Sequence, residues 1–300
     1  MSFVAMVSAV ELGLVYALVV LGLVLSYRVL NIPDLTVDGS FTLGAAVSVM
    51  LAAAGHSWLG LLAGAAAGAL AGVVTAFLQT KCRVQPILAG IITMTALYSI
   101  NLMVMDNKAN VPITTDQSVF YQLGAVVGKP AQGLVLGGGM ALIVSVVLVL
   151  FLMTPLGMAV RATGDNEAMV RSSSINADFT KAVGLAGANA CVALSGALLA
   201  QYNCFAEVRM GIGMVVIGLA SLIIGELVVE GLLRRRTLAG SAVAAVLGSI
   251  LYRFIIAAAL ELDFSASSMK LVTAIIVAAA MSWPALRQSM QLRRLRKGAK

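Results

Sequence analysis

Long charge-free apolar stretches alternate with short polar breaks along the chain. Read as helices, they run over about 6–26, 40–55, 58–79, 86–105, 132–153, 182–203, 211–230, 237–257 and 269–286. An α-helix needs roughly 20 apolar residues to cross a bilayer, and most of these stretches supply them. Two fit poorly as full crossings. The 40–55 stretch is short, and 211–230 is interrupted by Gly211, Gly213, Gly218, Gly225 and Glu226. Broken helices persist at membrane depth only where protein or water lines them. The pattern predicts an all-α polytopic membrane protein with about 8–10 transmembrane or re-entrant helices, at least one of them discontinuous.

Composition sharpens this. Apolar residues make up 60% of the 300 positions and charged residues 11%, against ~25% charged in an average soluble domain. A water-soluble fold of this size cannot hide so much apolar surface. The expected layout is one transmembrane domain over 1–286 and a basic tail over 287–300. The first stretch carries Glu11 and has no basic region before it or cleavage site after it. It reads as a retained helix, not a signal peptide.

Charge supplies a direction. The net charge is +7, and Arg287, Arg293, Arg294, Arg296, Lys297 and Lys300 crowd the tail. When the breaks are assigned alternately to two sides, fifteen of the 20 Lys and Arg residues fall with the tail. The other five are Lys108, Lys129, Arg209, Arg253 and Lys270. By the positive-inside rule the C-terminus is cytoplasmic; nine crossings place the N-terminus outside, and a re-entrant segment reverses that. The tail lacks the aromatic interleaving of an RNA-binding arm, so no nucleic-acid partner is expected.

Several chemistries have no foothold. Gly124 to Lys129 (GAVVGK) misses the phosphate-loop spacing by one residue and is followed by Pro130. No HExxH, GxSxG, GxGxxG or paired-carboxylate site is present. Cys82, Cys191 and Cys204 are scattered and odd in number, so they read as inert packing residues, not a disulfide or metal framework. The lone His56 sits in a short break as a loop residue. No metal site, bound cofactor or catalytic residue is expected, and a transport subunit is the default. Gly60, Gly64, Gly68 and Gly72 recur every fourth residue and form a small-residue face for tight helix packing.

Two segments carry the functional reading. Asn31 to Gly44 (NIPDLTVDGSFTLG) places Asp34 and Asp38 among Thr36, Ser40 and Thr42 at an apolar helix start. Two readings fit. Asp38, Gly39 and Ser40 cap a helix beginning near Phe41, or the polar groups face a pathway. Polar groups at or within other apolar stretches extend the pathway candidates: Asp38, Ser40, Thr42, Asn101, Asn189, Ser195 and Glu226. Helix-to-helix hydrogen bonding is the alternative for each, and pairing with Arg234–Arg236 is the alternative for Glu226. Thr154 to Asn176 (TPLGMAVRATGDNEAMVRSSSIN) is the most polar internal segment. Gly164 and Asp165 can start a short amphipathic helix holding Glu167, Ala168, Met169 and Val170. It reads either as a solvated loop or as a docking element for a cytoplasmic partner.

The stretch RATGDNEAM…INAD resembles the cytoplasmic coupling segment of ABC-importer permeases of the branched-chain amino acid and ribose permease superfamily. NIPDLTVDGSFTLGAAV is similar to the tryptophan/tyrosine-type branch of that superfamily, with TVDGSF its specific part. The likeness runs from about Asn31 to Trp283. One departure is Ser174, where the family often has glycine before Ile-Asn. The resemblance implies an importer permease fold with a coupling segment over 157–181. In it Arg161, Gly164, Asp165, Asn166, Glu167, Met169, Ile175 and Asn176 engage the ATPase. It further implies a separate ABC ATPase that holds ATP and Mg, an extracytoplasmic binding protein, and a second permease chain, most simply a homodimer. The setting is the bacterial inner membrane and its lipid, and the cargo a small polar nutrient such as an amino acid. A self-sufficient ion-coupled carrier or channel is the alternative; it calls for intramembrane carboxylates and internal symmetry, and no repeat is evident.

Overall fold

A computed structural model describes residues 3–128, 131–232 and 237–261, together with 274, 275, 278 and 282. The expected span over 269–286, the basic tail and the Arg234–Arg236 run lie outside the described residues. Helices α1 (Phe3–Leu23), α2 (Thr36–Ala53), α3 (Ser57–Thr80), α4 (Pro86–Val104), α6 (Gln132–Met153), α9 (Ala177–Asn203) and α11 (Leu238–Glu261) are long and apolar enough to cross a membrane. The other α-helices among the described residues are α5 (Val119–Val127), α7 (Pro155–Asp165), α8 (Glu167–Ser172) and α10 (Met214–Leu232). The protein is a multi-pass membrane protein.

Helices α1, α2 and α9 form the buried centre. α2 and α9 run in the same direction: Ser40 meets Asn189, and further along Ser48 meets Gln201. α3 runs back along both. Gly60 and Gly64 approach the Ser48 and Gly44 carbonyls of α2, and Gly68 and Gly72 approach the Asn189 and Leu185 carbonyls of α9. A Cβ at any of these four positions meets backbone, so the four-residue glycine spacing sets how closely α3 seats.

The bundle has two distinct ends. At one, strands β1 (Asn110–Pro112) and β2 (Phe205–Glu207) pair antiparallel, Val111 opposite Ala206. One strand of this small ribbon lies in the break between the 86–105 and 132–153 stretches, and the other directly follows α9. Ser118 and Gln201 tie that break to the end of α9. The other end carries α7, α8 and the first turn of α9.

Three particulars refine the sequence reading. α2 starts at Thr36, not near residue 40, because Asp34 Oδ1 accepts the Thr36 N–H at 2.8 Å. Arg253, counted above with the residues opposite the tail, lies within α11, inside the 237–257 stretch and eight residues before Glu261. Cys82 is exposed in the turn after α3, so of the cysteines only Cys191 and Cys204 sit within the packing, all three as free thiols.

Candidate functional site

α2 and α10 both begin inside the bundle. Asp34, two residues before α2, meets Asn189, which lies twelve residues into α9, or about 18 Å along that helix at 1.5 Å per residue. From β2 the chain turns back inward, and Gly211 packs on the Asp38 carbonyl and the Thr42 hydroxyl. Gly213 (φ 89°) adopts a left-handed conformation that a side chain would strain. α10 then starts at Met214. This is the discontinuous segment, and Gly211 and Met214 anchor it in protein while Ile212 faces outward.

A polar seam joins these two starts. Asp34 Oδ2 accepts from Asn189 Nδ2 at 2.7 Å, and Ser40 donates to Asn189 Oδ1 at 2.7 Å. Thr36 bonds Thr75 of α3 at 2.8 Å, and Thr75 bonds Thr93 of α4 at 3.0 Å. Asp38 accepts from the Gly213 and Val215 amides, both at 2.9 Å, so it caps α10. Thr42 accepts from the Gly211 amide at 3.1 Å. Asn101 donates to the Gly39 carbonyl at 3.3 Å, while its own buried oxygen finds no partner among the described residues. Asp38, Ser40, Thr42, Asn101 and Asn189 thus gather in one place. Ser195 does not join them; it donates to the Val15 carbonyl at 2.7 Å and ties α9 to α1.

Glu226 sits apart, at the α8 end. Its two carboxylate oxygens accept from Nε and Nη2 of Arg28. Arg28 lies on a π-helical turn, Val24–Val29, that ends α1. Such turns are rare and concentrate at functional sites. Arg28 and Glu226 line a cavity of about 300 Å³ with Arg161 and Asp165 of α7.

The terminal pair α7–α8 is tightly specified. Gly164 and Asp165 finish α7 and do not open the next helix, as the sequence reading has it; Asn166 turns extended and caps α8 by accepting the Met169 N–H at 3.1 Å. Glu167 accepts from Arg171 at 2.9 Å and from Lys181 of α9 at 2.7 Å. The Lys181 hydrogen bond, with Arg171 assisting, holds the Glu167 carboxyl below the usual carboxylate range. Arg171 also pairs with Asp178 at 2.6 Å. α8 ends with the Ile175 amide on the Val170 carbonyl and the Ser174 amide on the Arg171 carbonyl, a Schellman closure. Asn176 then caps α9 through the Asp178 and Phe179 amides, both at 3.1 Å. Val170 is buried beneath α8. Met169 (66% exposed), Ile175 (40%) and Phe179 (56%) face outward at this end.

A model of a transport permease family, described as "Branched-chain amino acid transport system / permease component", matches residues 5–281. This chain belongs to that family. It is 35% identical over 274 residues to a tyrosine transport system permease protein of Clostridioides difficile, covering 91% of this chain and 89% of that one. A protein of Rickettsia prowazekii, RP368, is 28% identical over 279 residues, covering 92% of this chain and 96% of that one. The ribose import permease protein RbsC of Haemophilus influenzae is 27% identical over 226 residues, covering 74% of this chain and 65% of that one. No solved structure matches the chain.

In the permease, the eight coupling candidates occupy one end: Arg161, Gly164 and Asp165 on α7, Asn166 between the helices, Glu167 and Met169 on α8, Ile175 and Asn176 at the start of α9. Sequence reasoning singled out Asp34 with its segment but left it off the pathway candidates, although it binds Asn189 directly. It also missed Thr75 and Thr93, whose signal is only a hydroxyl on an apolar helix. Arg28 was read for orientation alone, because nothing local points to Glu226.

Proposed function

We propose that this permease is the membrane-spanning subunit of an ABC importer for an amino acid, tyrosine or a close analogue. The observation that carries the reading is α8: a short capped helix, clamped to α7 and α9, that offers Met169 and Ile175 outward. It is built to be gripped. A separate ATPase holds ATP and Mg and grips α8 from the cytoplasm, while this chain performs no covalent step. The positive-inside rule assigns the basic tail over 287–300 to the cytoplasm as well. Two ATPase sites require two coupling helices, hence a homodimer in the bacterial inner membrane. An extracytoplasmic binding protein docks at the ribbon end. The amino acid assignment leans on the tyrosine transport relative.

Geometry supplies a route for the stroke. Lys181 and Asp178 bind α8 to the first turn of α9, and α9 carries Asn189, which holds Asp34 and Ser40. A displacement of α8 is thereby felt at the buried starts of α2 and α10, where two packed arrangements can alternate.

The test is co-purification. Replacing Glu167–Ser172 with a Gly-Ser loop is expected to release the ATPase while the bundle keeps its thermal transition. Retention of the ATPase by that variant defeats the docking reading. Uptake of tyrosine driven by an ion gradient, without ATPase or ATP, points instead to a self-sufficient carrier.

A further inference from the structure

Arg253 is a cation inside an apolar helix. It lies eight residues before Glu261, the last residue of α11, or about 12 Å from that helix end. Charge at such a position is costly and is usually tied to a pathway or a partner. Among the described residues no carboxylate pairs with it, and its buried Nε has no hydrogen-bond partner. One face of the guanidinium is taken: its carbon lies 3.7 Å from the centre of the Tyr16 ring. Tyr16 is stacked in turn on Phe41 of α2 at 6.3 Å, so the platform is rigid. The planar group is held in place, and its donors remain to be used.

Those donors border a space. Arg253 lines a cavity of about 350 Å³ between α1 and α11, at the end opposite α8. The volume falls in the range of small-molecule sites, roughly 300–1,000 Å³. Ala5, Ala9, Leu12, Ile256 and Ala257 make its wall mostly apolar, with Ser8 as a small polar group and Glu261, eight residues along α11 from Arg253, as an acid. A fixed guanidinium fork matches a carboxylate in two hydrogen bonds. An apolar wall beside it suits an uncharged side chain.

We propose that Arg253 receives the carboxylate of the transported amino acid in this α1–α11 cavity. The inference rests on the importer reading above for its cargo and extends it to a named recognition residue. Tyr16 orients the guanidinium and is a positioning residue. The site meets the amino acid early in its passage, at the end where the binding protein delivers it.

The experiment uses the purified permease–ATPase complex in nanodiscs of phosphatidylcholine. Phenylglyoxal modifies accessible arginines, and peptide mass spectrometry reads the rate at Arg253. L-Tyrosine is expected to slow that rate at least threefold, whereas tyramine, which lacks the carboxylate, leaves it unchanged. Equal protection by both compounds, or by neither, overturns the proposal. Protection by phosphatidylglycerol without tyrosine also overturns it, assigning Arg253 to a lipid headgroup. Transport gives a second arm. Arg253→Met is expected to lower ATP-driven tyrosine uptake at least tenfold, with Arg253→Lys between it and the parent; unchanged uptake in Arg253→Met contradicts the proposal. Tyrosine-specific protection without ATP-driven uptake leaves the site standing and refutes the importer reading instead.

Discussion

Ser174 sits where a left-handed residue closes α8, at φ 59°. For an L-residue with a side chain, that conformation costs roughly 1–2 kcal/mol, and glycine avoids it. The side chain is exposed and no hydrogen bond of its hydroxyl compensates. Ser174→Gly is therefore expected to steady the closure by about 1 kcal/mol, or about fivefold in opening. Hydrogen exchange at the Ser174 and Ile175 amides is the readout, with slower exchange expected and no change in the global thermal transition. This position was legible from sequence, because a glycine-favouring site before Ile-Asn implies a helix stop. Asp38 was legible only by type. Its carboxylate reads as a helix cap, and it is one, but for α10 and not for its own helix. Local spacing reveals partners within a turn or two and is blind to one 175 positions away.

Elements were read best where bilayer thickness fixes their length. α1, α3, α4, α6 and α9 follow from uninterrupted apolar runs. The start of α2 was misplaced because Asp38 looks like a boundary, while in the fold its charge is taken up by α10 amides and the helix continues through it. α7 and α8 were merged in part because Gly164 and Asp165 resemble a helix start; the stronger local signal is Asn166, whose side chain caps α8. The glycine face of α3 supports a graded prediction. A Cβ at Gly68 collides with Ala193 and with the Asn189 backbone, whereas one at Gly139 of α6 meets nothing within 4 Å. Gly68→Ala is expected to destabilise by about 1–3 kcal/mol through overpacking. Gly139→Ala is expected to be neutral or slightly stabilising. Thermal unfolding in detergent compares the two, and equal melting of both variants contradicts a close seam between α3 and α9.

The whole molecule is tied together by contacts that no stretch of sequence announces. Asn189 joins Asp34 across 155 positions, and Arg28 joins Glu226 across 198. The second pair fastens the π-helical turn ending α1 to α10, beside the cavity that also meets α7. It thus bridges the end that carries α8 and the helix whose start Asp38 holds. The side chains are partly exposed, 42% for Arg28 and 19% for Glu226. Their static contribution is expected to be modest, about 1 kcal/mol or less. If the pair instead favours one arrangement of α10 over another, its removal shows in coupling more than in stability. Charge reversal separates these roles. Arg28→Glu and Glu226→Arg each place like charges together. Each is expected to raise basal ATP hydrolysis by the assembled complex and weaken its coupling to uptake, with a shift in melting of only a few degrees. The double reversal restores opposite charges and is expected to recover most of the coupling. If the defects of the two single variants simply add in the double variant, the pair is two independent surface charges and α10 is held by packing alone.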